Sequence, residues 1–167
     1  MLRYIRDNNT LGFKYYDDKN YAPLYDLLRQ ASIKTENQLM AFSDSSWKYC
    51  VDAGRITGSY LIFYQGGQID HVTHVSGPVA QSGAENEYNE ACTLGMALAH
   101  FSMLINEFLN KGPDKFIEEA PLIILDGKYS VCMAKNGQDT NHTSNIDRRV
   151  NLVRNGERLK FHKIYCC

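Results

Sequence analysis

Apolar residues recur at Ala84, Tyr88, Ala91, Leu94, Leu98, Phe101, Ile105 and Phe108. Steps of three and four residues are those of one buried helical face. The pattern predicts a long helix that opens near Ser82 and stops at Gly112-Pro113, a C-cap followed by a residue that cannot continue it. Ahead of it, Leu39 to Asp44 reads as a compact strand and Thr57 to Tyr64 as a strongly β-prone run. Gln65-Gly66-Gly67 is a hairpin signal, with Gln68 to Val75 as the return strand. After the helix, Pro121 to Leu125 is short and wholly apolar, the mark of a central parallel strand. Helices follow over Lys128 to Asn136 and Ser144 to Arg154, then a last strand over Leu159 to Tyr165. Near the N-terminus, Leu2 to Arg6 reads as the tail of a helix, Thr10 to Tyr16 as a short strand, and Leu24 to Ala31 as a helical turn or two.

Two of the predicted strands end in carboxylates, Asp44 and Asp126. Open α/β sheets place their sites at such strand ends. If the two strands are adjacent and parallel, and the long helix crosses between them, Glu87 in its first turns can reach both. Ser82 can cap that helix and Glu85, three residues on, completes a capping box. Glu87 falls on or beside the apolar face and has no such structural explanation. Three converging carboxylates repel one another unless a divalent cation compensates, and hard oxygen ligands suit Mg²⁺ or Mn²⁺. Blander readings stand beside this one: a turn cap for Asp44, a helix cap for Asp126, a solvated position for Glu87. His71 and His74 are three apart on a predicted strand, so they point to opposite faces and do not make a metal pair. Arg148, Arg149, Arg154, Arg158 and Lys160 form a local basic stripe, either a solvated face or a nucleic-acid contact.

Composition narrows the classes. A chain of 167 residues with net charge −1 has no global basic field to recruit nucleic acid, so any such binding comes from a local patch. No apolar run approaches the ~20 residues of a membrane span, and the N-terminus lacks the apolar centre of a signal peptide. Five cysteines without a C-x-x-C pair point to reduced thiols, in the cytoplasm or nucleus.

The motifs, taken in order, resemble the ribonuclease H domain of copia-type LTR-retrotransposon Pol polyproteins. They are Ser43-Asp44-Ser45-Ser46-Trp47, Arg55-Ile56-Thr57-Gly58-Ser59-Tyr60 and Gly66-Gly67-Gln68-Ile69, then Ser82-Gly83-Ala84-Glu85-Asn86-Glu87-Tyr88, Leu125-Asp126-Gly127-Lys128 and Ala134-Lys135-Asn136. The resemblance implies an α/β, RNase H-like fold: a mixed five-stranded sheet, three strands antiparallel then two parallel, with flanking helices. It implies residues 1–37 as the tail of a reverse-transcriptase connection region and 38–167 as the RNase H-like domain. Asp44, Glu87 and Asp126 would be metal-binding and catalytic, Glu85 being the alternative to Glu87. Arg55, Arg148, Arg149 and Arg154 would contact nucleic acid. The implied reaction is Mg²⁺- or Mn²⁺-dependent endonucleolytic hydrolysis of RNA in an RNA–DNA hybrid, with two ions in the intact family site. The family's fourth Asp follows the last strand, and this sequence stops at Cys167, before it. Asp70 to Ser76 also carries no Lys or Arg where the family's linker is basic. These departures imply weak or lost hydrolysis, with a non-catalytic binding remnant as the alternative.

Overall fold

The computed structural model describes residues 23–33, 39–46, 57–75, 83–109, 120–126, 131–132, 155 and 163–166. Its elements are α1 (Pro23–Gln30), β1 (Leu39–Ser46), β2 (Thr57–Tyr64), β3 (Gly67–Val75), α2 (Gly83–Phe108), β4 (Leu122–Leu125) and β5 (Lys163–Cys166). The strands form one five-stranded sheet in the order β3-β2-β1-β4-β5. β1, β2 and β3 pair antiparallel, whereas β4 is parallel to β1 and β5 to β4. This is the expected mixed α/β sheet.

The β2–β3 turn shows why the sequence folds there. Tyr64 pairs with Gly67, leaving two turn residues, Gln65 and Gly66, both at positive φ of 49° and 79°. Positive φ at both positions matches the right-handed twist of the flanking strands. α2 then carries the chain back across the sheet, so β4 can enter beside β1 in the same direction.

Alternation along the strands divides the apolar side chains between two faces. On one face Leu39, Ala41, Tyr60, Ile62, Ile123, Leu125 and Ile164 pack against Tyr88, Ala91, Cys92, Leu94 and Leu98 of α2. On the other, Met40, Leu122 and Ile124 meet Tyr25 and Leu28 of α1, with Ile33 just beyond it. α1 ends on Ser32 at φ 59°, with Ile33 N–H donating to Leu28 O at 2.9 Å and Ser32 N–H to Arg29 O at 3.0 Å. That bonding is a Schellman close, and it folds Ile33 onto Leu28 over the sheet. α1 falls within the N-terminal 37 residues and packs directly on this face.

The elements differ from the sequence reading by a residue or two at several ends, and three differences bear on packing. β1 runs two residues past Asp44, because Ser45 and Ser46 keep pairing with Gly58 and Thr57. Pairing across the sheet overrides the weak strand preference of a serine pair. Phe108 is 83% exposed at the last turn of α2, so the buried face ends before it. Of the last strand, expected over Leu159 to Tyr165, the described part is β5, which runs one residue further to Cys166 and buries Ile164 in the core on the α2 side. Within the helix expected over 128–136, Val131 and Cys132 are helical. The elements expected at Leu2 to Arg6, Thr10 to Tyr16 and Ser144 to Arg154 lie outside the described residues, as do Ser82 and Trp47.

Candidate functional site

The parallel register of β1 and β4 pairs Ser43 with Leu125. One residue further on stand Asp44 and Asp126, so the two are neighbours across the strand ends, about one strand spacing (~4.8 Å) apart in the backbone. Both alternate onto the face away from α2, the face of Phe42 and Ile124. Both are exposed. They line one surface cavity of about 300 Å³ together with Phe42, Ser43, Ser59, Tyr60, Leu61 and Ile124. α1 covers this face near Met40 and Leu122, leaving the end with the carboxylates uncovered.

Asp44 is oriented locally. Its Oδ1 accepts the Ser45 N–H at 2.7 Å, and its main-chain carbonyl accepts the Ser59 hydroxyl at 3.5 Å. Phe42 stands edge-on to Phe63, with ring centroids 5.7 Å apart, and stiffens the cavity floor.

Glu87 lies in the first turns of α2 and is half-buried, as is Glu85. Neither lines the cavity. The structure thus brings Asp44 and Asp126 together and keeps Glu87 on the element that covers the opposite face. Among the described residues no group of three His, Cys, Asp or Glu stands close enough to hold one metal ion. The donor chemistry of the Asp pair still suits a hard cation, since Mg²⁺ commonly binds through one or two carboxylates and keeps water or phosphate oxygens at its other positions. Arg55, Arg148, Arg149 and Arg154 lie outside the described residues. His71 is exposed and His74 half-buried toward α2, on opposite faces as their spacing requires.

The buried carboxylate of this region is one that the apolar pattern did not single out. Glu90 of α2 is 2% exposed. Its carboxylate rests on Gly58, where a Cβ would overlap it. His74 Nε2 stands 3.5 Å from its Oε2, while Oε1 is buried without a hydrogen-bond partner. Burial holds the Glu90 carboxyl above the usual carboxylate range, and His74 opposes that shift. Tyr60 beneath it is raised as well, by burial first and then by the charges of Asp70 and Glu90. The signal available in the sequence was Gly58, a residue without a side chain inside a β-branched and aromatic run.

No protein-family model matches the chain, and no curated protein does. Solved structures do. RNase H1 from the halophilic archaeon Halobacterium salinarum superposes with a TM-score of 0.50 at 14% identity, over 78% of this chain and 83% of that one. LC11-RNase H1, isolated from compost by a metagenomic approach, gives a TM-score of 0.54 at 12% identity, over 78% and 84%. The likeness establishes an RNase H-like fold.

Proposed function

We propose that this chain is a copia-type, retrotransposon-derived RNase H-like domain whose ancestral reaction is divalent-metal-dependent hydrolysis of RNA in RNA–DNA hybrids. The observation that carries the reading is the Asp44–Asp126 pair, exposed and side by side at the ends of adjacent parallel strands. In this reading Asp44 and Asp126 would hold Mg²⁺ or Mn²⁺ at the cavity, and Glu87, which stands outside it, would be the third carboxylate of the family set. A bound ion supplies polarisation of a phosphoryl oxygen and a more acidic water. The chain's own residues do the positioning. The Ser45 N–H fixes one Asp44 oxygen, leaving the other for the cation, and Ser59 ties the β1 backbone to β2 at that point. Phe42, Leu61 and Ile124 form an apolar floor beside the two carboxylates. Arg55, Arg148, Arg149 and Arg154 are assigned phosphate contacts on charge alone, and the 2′-hydroxyls of the RNA strand supply discrimination. The retrotransposon origin rests on the ordered motifs, and the boundary between the N-terminal tail and the domain is placed at residue 37.

A second reading, hybrid binding without cleavage, is favoured by Glu87 standing outside the cavity. Incubating the purified chain with a labelled RNA–DNA hybrid separates the two. The first reading expects slow cleavage, faster with Mn²⁺ than with Mg²⁺, and abolished by Asp126→Asn. Hybrid retained on the protein but uncut under both metals supports the second. Neither retention nor cleavage contradicts both.

A further inference from the structure

Beyond the Asp pair, the most constrained polar group in the described residues is Glu90. The register places Ser45, Gly58 and His74 in one row across β1, β2 and β3, all on the α2 side. Glu90 sits over the middle of that row, on the one residue there that has no side chain. Asp44 is the immediate chain neighbour of Ser45, so the row borders the candidate cation site. Glu87 lies three residues earlier on the same helix, about 4.5 Å along its axis.

We infer that Glu90 and His74 form a proton-sharing latch that positions the first turns of α2, and with them Glu87, beside the Asp44–Asp126 end of the sheet. The inference rests on that end being a cation site. At 3.5 Å, His74 Nε2 and Glu90 Oε2 are beyond a good hydrogen bond but within ion-pair range. With one proton on the pair, the two groups together carry no net charge. When the proton leaves, a carboxylate remains under α2 with no counter-charge beside it among the described residues. An uncompensated buried charge is strongly unfavourable.

The surroundings favour keeping that proton. β2 contributes Tyr60, whose hydroxyl is itself held in its neutral form by burial. β3 contributes His74 and, four residues before it on the same face, Asp70, whose charge raises the Tyr60 hydroxyl after burial. β1 offers only Ser43 and Ser45 on this face. On α2 itself, Asn86 lies one turn before Glu90 with its Nδ2 buried and unpartnered, and Glu87 adds a further carboxylate. Loss of the proton therefore drives Glu90 toward water. Since its backbone belongs to α2, the turn carrying Glu87 moves with it. A simple carboxylate site gains cation affinity as pH rises; this site should lose it once the latch opens.

Two measurements on the full chain test this. NMR follows the His74 ring and the amides of residues 86–90 from about pH 5 to pH 8, the range in which an imidazole changes charge. Calorimetry measures Mn²⁺ binding at both ends of that range. The latch predicts one shared titration step in ring and amides, and Mn²⁺ affinity about tenfold lower above the step than below it. In Glu90→Gln the amide step should vanish and the affinity should become flat or rise with pH. Glu90→Asp should restore part of both. If the wild-type ring and amides titrate independently, there is no latch, and that result needs no variant to fold. A shared step with Mn²⁺ affinity indifferent to it overturns the positioning role while leaving the cation site intact. A shared step with no Mn²⁺ binding at any pH overturns the cation site, and the positioning role with it.

Discussion

On the α2 side of the sheet, Leu39, Ala41, Ile62 and Ile123 meet Tyr88, Ala91, Leu94 and Leu98 in a closed core, and the carboxylate lodged there, Glu90, is 2% exposed. On the α1 side, among the described residues, the cover reaches Met40, Leu122 and Ile124 and goes no further toward the strand ends. Asp44 and Asp126 therefore stay in water. The same end of one sheet thus carries a carboxylate that is buried and two that are exposed to solvent. An eight-residue helix leaves open what a 26-residue helix closes. Cover, rather than residue type, decides which acid can serve as a ligand.

Truncating the core on each side should give the largest difference. Ile62→Ala, wholly buried under α2, is expected to cost about 2–5 kcal/mol in denaturant unfolding. Leu61→Ala, next to it but 39% exposed on the other face, should change stability by no more than about 0.5 kcal/mol. Equal losses would mean that the two faces are equally closed.

Gly58→Ala comes next. The added Cβ meets the end of the Glu90 side chain, so the carboxylate has to swing out of its buried place. A loss of about 1–3 kcal/mol is expected, as for overpacking elsewhere. In Gly58→Ala/Glu90→Ala much of that loss should disappear, because the clash has been removed.

The pH dependence of stability sharpens the contrast. Burial raises the Glu90 carboxyl above its unfolded value. The folded chain thus holds this proton more tightly than the unfolded chain does. Its contribution is fully present below the ordinary carboxylate range and is lost as pH rises through the raised value. Measured by thermal unfolding, wild type should lose stability relative to Glu90→Gln as pH rises from about 4 toward neutrality. A constant difference across that range would show that Glu90 is not strained by its burial. Smallest of all is the expected effect of Asp44→Asn on stability, within about 0.5 kcal/mol, because the side chain is exposed.

Much of this arrangement was readable from residue order. The three- and four-residue spacing from Tyr88 to Leu98 marked the helix and its buried face, and the short apolar run before Asp126 marked a central strand. Adjacent, parallel β1 and β4 were the condition on which the carboxylate reading depended, and they are adjacent and parallel. The extent of β1 was not readable, because Ser45 and Ser46 are strand only through their partners on β2. Nor was the burial of Glu90, which depends on Gly58 and His74, residues distant in sequence and brought under it by the hairpin. A helical pattern shows which face a residue occupies, but not whether the facing strand leaves room for a carboxylate.

The central claim is that Asp44 and Asp126 together hold a divalent cation. Substoichiometric Mn²⁺ added to isotope-labelled chain tests it directly, since the ion broadens NMR signals close to where it binds. The account predicts that amides of residues 43–46 and 125–126 broaden first, and that Asp44→Asn/Asp126→Asn removes the effect. Selective broadening around His71 and His74 instead, or none that the double variant alters, would contradict it.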